Sequence, residues 1–268
     1  MTKILLLGGH GRVSLFMTPK LVARSWNVVS VIRNKDHIPE ILEAGKNGPG
    51  KVEPLVASIE DVKSVEDAGK IIDGVGGVNW VIWSAGAGGK GGAERTLAID
   101  RDAAIHFIRA SIARPSITKF LMVSALSSRR TRAPWWDDDS WNLVDKMNKE
   151  ILATYYKAKL AADEVLTIEG GKRKGFGWID LRPGHLTDEP ESGRVQIGKT
   201  VAKGGVSRAD VAEVGARLLE KEGVSGWFDL LGGEKEVGEE VNRVLDAGED
   251  SIEGEDLKVM EENIGKSD

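Results

Sequence analysis

Residues 3–14, Lys-Ile-Leu-Leu-Leu-Gly-Gly-His-Gly-Arg-Val-Ser, constrain the fold more than any other stretch of the chain. An apolar run over 4–7 breaks into Gly8, Gly9 and Gly11, and an amphipathic segment over 13–26 follows at once. A buried strand, a tight glycine turn and a helix in that order make a site for a dinucleotide phosphate. The glycines let the backbone turn sharply and approach a pyrophosphate closely. The free N–H groups of the helix start then point at the anion. Gly9-x-Gly11-x-x-Ser14 lacks the third glycine of the G-x-G-x-x-G spacing, whereas Gly8-x-x-Gly11-x-x-Ser14 fits a second spacing in which a small serine lets helix and strand pack. His10, Arg12 and Val13 are counted with the glycines as cofactor-binding positions, although His10 has solvent as its competing environment.

Short, partly β-branched apolar runs at 28–32, 52–56, 78–84, 120–124 and 178–181 alternate with helical stretches at 38–44, 59–72, 94–113 and 143–168. This alternation predicts an α/β fold, a Rossmann-type doubly wound parallel sheet with helices on both faces and its ligand at the carboxyl ends of the strands. Ser207 is the expected N-cap of a later helix, with Asp210 in the capping-box position. Pro19 falls inside the first helix and is expected to kink it or expose a carbonyl. One domain over 1–245 is expected, with a small substrate-side elaboration from residue 184, followed by an acidic, loosely held tail over 246–268 in which 257–264 is a candidate docked helix.

The 268 residues are 41% hydrophobic and 29% charged, a balance typical of a globular protein. No apolar run approaches the ~20 residues of a membrane helix, and the early first strand leaves no room for a signal peptide. With no cysteine, disulfides, thiolate metal sites and cysteine nucleophiles are excluded, and a cytoplasmic setting is expected. The four histidines have no metal-ligand spacing, so no metal is expected. The net charge of −5 is uneven: residues 234–268 hold 13 acidic and 4 basic side chains, which leaves the remainder at +4. A mildly basic body suits an anionic phosphate ligand, but it lacks the dense basic stripe of a nucleic-acid binder.

Arg33-Asn34-Lys35 follows the second strand, where an acidic residue would hold the ribose hydroxyls of NAD. A basic residue there suits the 2′-phosphate of NADP, with Arg33 the best candidate, Asn34 beside it and Lys35 second. A solvated basic turn is the plainer alternative. Ser84, Ala85 and Gly86 end the next strand of the binding half with small residues that let backbone approach a ribose or ring; Gly88, Gly89, Gly91 and Gly92 read equally as a flexible loop. Tyr155 and Lys159 lie four apart and share a helix face. An ammonium near a phenol favours the phenolate and is expected to lower its pKa, so that the pair passes a proton to or from a carbonyl or alcohol oxygen. Ser124, at the end of the fifth strand, either polarises a carbonyl or bonds local backbone.

Gly8-x-x-Gly11, Ala85-Gly86, Ser124, Tyr155-x-x-x-Lys159 and Leu181-Arg182-Pro183-Gly184 occur in the order of the short-chain dehydrogenase/reductase superfamily, which the chain resembles over about residues 3–233. Leu186-Thr187-Asp188-Glu189-Pro190 and Ser207-Arg208-Ala209-Asp210-Val211 look like later motifs of its atypical NAD(P)-binding, NmrA-like branch, which includes flavin and biliverdin reductases and small sugar-epimerase-like proteins. The resemblance implies hydride chemistry on Ser124, Tyr155 and Lys159, a ribose contact for Lys159, and Pro183 and Gly184 beside the nicotinamide. Ser58-Ile59 stands where the family commonly has an adenine-facing aspartate, with Glu60-Asp61 just beyond. Residues 127–142 look like an insertion holding Arg129, Arg130, Arg132, Trp135, Trp136 and Trp141, either a lid over an aromatic substrate or a segment buried against the body or a partner subunit.

Together these observations imply an NADP-dependent oxidoreductase acting on a small carbonyl, quinone or flavin, as a monomer or homodimer. The alternatives are a non-catalytic NAD(P)-binding regulator or redox sensor, and an epimerase or isomerase with retained cofactor.

Overall fold

The computed structural model describes residues 1–88 and 91–265, so Gly89 of the glycine loop and the last three residues of the acidic tail lie outside the described residues. Strand β1 (Lys3–Leu7) lies between β2 (Asn27–Ile32) and β4 (Trp80–Trp83), and β3 (Val52–Val56) forms the edge beyond β2. On the other side β4 is followed by β5 (Lys119–Val123), β6 (Gly177–Pro183) and β10 (Gly226–Gly232), and all these pairings are parallel. Strand β8 (Arg194–Ile197) adds antiparallel to β10, and the two-residue β11 (Lys235–Glu236) caps it. A separate small pair joins β7 (His185–Thr187) to β9 (Gly205–Ser207). The chain reverses its direction of travel across the sheet between β1 and β4, the switch point at which doubly wound sheets open a crevice for ligand.

Alternation along the strands builds two cores. Leu5, Leu7, Val81, Trp83, Phe120 and Met122 face one layer, where α3 (Val65–Val75), α5 (Ala104–Ile112) and α7 (Ala153–Val165) pack. Ile4, Leu6, Ile82, Leu121 and Val123 face the other, with α1 (Arg12–Ala23), α8 (Arg208–Glu220) and α9 (Val237–Asp246). Helix α2 (Ile38–Ala44) occupies the expected residues. Helix α1 runs through Pro19, and the Thr18 hydroxyl donates to the Ser14 carbonyl one turn back.

Several boundaries differ from the sequence expectation for local reasons. The stretch 59–72 is a short 3₁₀ turn and then α3, because Ser64 caps Asp67 N and fixes the helix start. The stretch 94–113 is α4 (Gly92–Thr96), a π-helical segment (Leu97–Ala103) and α5. Helix α6 (Asp138–Lys146) starts earlier than expected on the Asp137 cap and breaks at Leu152 before α7. Ser207 caps α8 as its sequence predicts.

Residues 247–265 are not loosely held, and the candidate docked helix over 257–264 is present. Ser251 is fully buried, its hydroxyl donating to Gly198 O and accepting from Asp229 N. Arg129 donates to the carbonyls of Ser251 and Glu253, and helix α10 (Leu257–Ile264) buries Met260 and Ile264 in the first core. Acidity made this stretch read as solvated, but its carbonyls and carboxylates meet buried arginines.

Candidate functional site: a nucleotide cleft beside a buried charge network

At the carboxyl end of β1 the chain turns at Gly8, whose φ of +81° disfavours any side chain, and a Cβ there would sit 2.6 Å from Ala85 Cα. A Cβ on Gly9 would drive into Ser30 Oγ, and one on Gly11 would meet Gly8 O at 3.0 Å. Gly11 is the N-cap of α1, with no capping side chain and no acidic residue in the first turn. The helix therefore starts with open N–H groups, and Ser14 Oγ is buried there without a partner among the described residues. An uncapped helix start over a glycine cradle fits an anionic diphosphate on both shape and charge. Val13 contributes backbone only, its side chain being buried in the second core. Arg12 points away, with both Asp188 oxygens within 2.7 Å of its Nη1.

From this turn a cleft of about 270 Å³ runs toward β2 and β3, lined by Gly8, His10, Gly11, Arg33, Ile59, Ser84, Ala85 and Gly86 among the expected residues. Ser58 is not part of the lining; Ala57, Ile59 and Glu60 take that edge. Asn34 is not part of it either, since its Oδ1 accepts from Asp36 N and closes the turn after β2. His10 faces neither solvent alone nor an open turn: its ring stacks on His37 at 3.5 Å and 9°, and Nε2 meets Glu40 at 2.9 Å. Three titratable lining residues were not among the expected cofactor contacts: Glu60, Arg95 and His37. Glu60 Oε1 accepts from Arg33 Nη1 at 2.9 Å and from Arg95 Nε and Nη2 at 2.9 and 2.6 Å. The Arg95 hydrogen bonds, opposed by burial and helped by both positive charges, hold the Glu60 carboxyl below its usual range.

The expected reaction residues lie outside this lining, on β5 and α7. Lys159 is buried, donates to Val123 O at 3.2 Å and faces Asp100 Oδ1 at 3.4 Å. Asp100 Oδ2 in turn accepts from Ala87 N at 2.9 Å, which ties α7 to the loop after β4. Burial alone would lower the Lys159 pKa; the charges of Asp100, Tyr155 and Asp163 more than offset it, so Lys159 stays protonated. Its ammonium lies 5.9 Å from the Tyr155 ring centre. The expected lowering of the tyrosine pKa does not follow. Burial raises it, Lys159 only partly opposes, and Asp100 adds to the rise. The Tyr155 hydroxyl has no hydrogen-bond partner among the described residues.

Ser124 is turned inward, its hydroxyl donating to Asp163 Oδ1 at 2.6 Å. Asp163 belongs to a buried cluster centred on Arg182, which also meets Asp180 at 3.1 Å and Asp229 at 3.0 Å and lies over Trp227 at 3.7 Å. Burial raises Asp163 and Asp180, and pushes Asp229 up to about 6. Pro183 and Gly184 end β6 in main-chain pairing, with Leu126 N on Pro183 O and Gly184 N on Leu230 O. Trp135 and Trp136 both donate to Thr200 O at 2.8 Å, and Trp136 is buried with Leu126, Val144 and Leu231. Of the two readings of the insertion, burial against the body is what these indoles do. No cluster able to hold a metal occurs among the described residues, and no described helix is long and apolar enough to cross a membrane.

Residues 8–222 match the model of a family described as NAD(P)H-binding. A protein named an uncharacterized sugar epimerase, YhfK, from Bacillus subtilis is 30% identical over 244 residues, covering 90% of this chain and all of that one. A UPF0659 protein from Schizosaccharomyces pombe is 32% identical over 216 residues, 79% of this chain and 82% of its own. Among solved structures, one titled as a putative NAD-dependent epimerase/dehydratase from Bacillus halodurans superposes with a TM-score of 0.70 at 25% identity, covering 91% of this chain and all of that one.

Proposed function

The chain belongs to the NAD(P)H-binding family, in the atypical short-chain dehydrogenase/reductase branch, and from that premise we propose that it is an NADP-dependent oxidoreductase reducing a small carbonyl, quinone, flavin or similar acceptor. Gly8, Gly9, Gly11 and the first-turn N–H groups of α1 hold the diphosphate; Arg33 holds the 2′-phosphate. When bound, the reduced nicotinamide supplies a hydride. The Tyr155 hydroxyl gives its proton to the substrate oxygen as negative charge develops there. A raised pKa suits this direction, because Tyr155 is then protonated at neutral pH and serves as an acid. Lys159, held protonated by Asp100, steadies the phenolate left behind. Ser124, whose proton is held by Asp163, has none to offer the substrate oxygen, which leaves Tyr155 as the donor there.

The observation that carries this reading is a tyrosine hydroxyl without a hydrogen-bond partner among the described residues, one turn from a buried, charged lysine. Tyr155→Phe is expected to lower turnover by about 100-fold or more while leaving the NADPH dissociation constant nearly intact. Undiminished turnover removes Tyr155 from the mechanism. Arg33→Ala is expected to weaken NADPH far more than NADH.

A second reading, a nucleotide-binding regulator without a reaction, draws on the inward-turned Ser124 and the upward shift of Tyr155. It predicts NADPH binding with no turnover across a panel of carbonyls, quinones and flavins. An epimerase, the activity in the Bacillus subtilis relative's name, would instead retain its cofactor through purification and show no net oxidation.

A further inference from the structure

We propose that Glu60 sets the choice between the two nicotinamide cofactors: its carboxylate clamps Arg33 and Arg95 together in the adenosine end of the cleft and must give way before a 2′-phosphate is bound. This inference rests on the assignment of that end of the cleft to the adenosine ribose.

One carboxylate oxygen serves two guanidiniums. Glu60 Oε1 takes Arg33 Nη1, Arg95 Nε and Arg95 Nη2, and Oε2 has no partner among the described residues. The two arginines are not equivalent. Arg95 is also tied to the Ala87 carbonyl at 3.2 Å and its side chain is 20% exposed, so it is anchored. Arg33 is 62% exposed, and Glu60 is its only ion-pair or hydrogen-bond partner among the described residues. Glu60 itself sits on a short turn after β3, 35% exposed, with room to swing into solvent. Because Arg95 holds its pKa down, it is ionised at neutral pH.

Two states of the cleft follow. With Glu60 in place, the open Oε2 accepts a hydrogen bond from a ribose hydroxyl, which is how an acidic residue recognises the unphosphorylated ribose. A 2′-phosphate carries about two negative charges at neutral pH. It meets repulsion from Glu60 and finds Arg33 already occupied, so it binds only when Glu60 moves aside and Arg33 turns to the phosphate, with the anchored Arg95 adding its charge in place. Glu60 therefore favours NAD(H) and penalises NADP(H) at the same position where Arg33 does the reverse.

The test uses unreactive probes, so it does not depend on turnover. ADP-ribose and its 2′-phosphorylated form are titrated calorimetrically into the full-length protein, its Glu60→Gln and Glu60→Ala variants, and Arg33→Ala. Both Glu60 variants are expected to shift the affinity ratio toward the 2′-phosphorylated probe by about tenfold, the scale of one charge contact at a partly exposed site. Arg33→Ala is expected to shift it the other way. If Arg33→Ala lowers the ratio and both Glu60 variants leave it unchanged, the NADP assignment stands and the role of Glu60 is overturned. If Arg33→Ala leaves the ratio unchanged, the 2′-phosphate is not read at this end, and the NADP assignment and the inference fall together.

Discussion

The two sides of the molecule that meet at the carboxyl ends of β1, β4, β5 and β6 handle charge in opposite ways. On the nucleotide side Arg33 and Arg95 are partly exposed, their shared partner Glu60 sits on a turn, and the helix start is left open. On the reaction side the charges are sealed in: Arg182, Asp163, Asp180 and Asp229 are all fully buried, and Ser124 and Lys159 are tied to that interior. Exposed pairs exchange partners cheaply, because water replaces what is lost. Buried ones do not, because a charge left alone in a low-dielectric interior has nothing to replace its partner. The first arrangement suits a site that must release an internal ion pair to take an anionic ligand. The second suits a site whose groups must hold position.

The contrast is most severely tested at Arg182. Replacing it with methionine strands three buried carboxylates and is expected to cost about 3–5 kcal/mol of stability, read from denaturant unfolding. A loss below about 1 kcal/mol, the scale of an exposed pair, would erase the distinction between the two sides.

The pH dependence of stability comes next. Asp229 has its pKa raised from 3.8 to about 6 by burial, so the folded chain holds a proton there that the unfolded chain has released. Its stabilising contribution is full below the unfolded value and is lost as pH rises through about 6. The gap corresponds to about 3 kcal/mol at most. Melting temperature is thus expected to decline between pH 4 and 6 on account of this cluster, and Asp180→Asn, which removes one of the competing carboxyls, is expected to flatten the decline. A profile that rises through that window in both proteins contradicts the assignment.

On the nucleotide side, Gly9→Ala is expected to destabilise by about 1–3 kcal/mol through overpacking against Ser30. Adding Ser30→Gly should recover a good part of it; no recovery would mean that the clash lies elsewhere. The smallest effect is expected from Arg12→Ala. Arg12 and Asp188 are 62% and 69% exposed, and Asp188 keeps Arg208 as a partner, so the lost ion pair is worth less than about 1 kcal/mol and the melting curve should barely move.

What could be read from the sequence was whatever is encoded contiguously. The strands through β6 are short, mainly apolar and partly β-branched runs, and the glycine turn, Arg33 and Ser84-Ala85-Gly86 each directly follow a strand, so position along the chain fixes position in the cleft. Glu60, Arg95 and His37 come from three separate segments, the turn after β3, helix α4 and the turn after β2, and converge only in space. Arg95 was the most accessible of them, as the first arginine after the glycine-rich stretch. The orientation of Ser124 was hidden for a similar reason: Asp163, which turns it inward, lies one helical turn beyond Lys159, where an acidic residue usually reads as solvated surface. The pKa direction of Tyr155 was misjudged because the spacing shows the lysine but not the burial or Asp100. In the last segment the docked helix over 257–264 was legible, but the attachment of Ser251 and Glu253 was not, because their carbonyls are matched to the interior Arg129, a pairing that composition cannot display.

That attachment has a consequence for how the interior is closed. Ser251 seals the wall of the Arg129–Asp229 interior, its hydroxyl donating to Gly198 and receiving Asp229 N while its carbonyl receives Arg129. Arg129 and Ser251 are 122 residues apart, so no local piece of the chain can satisfy this buried guanidinium. A contact of such separation is slow to form, because the loop must close before the contact rewards it.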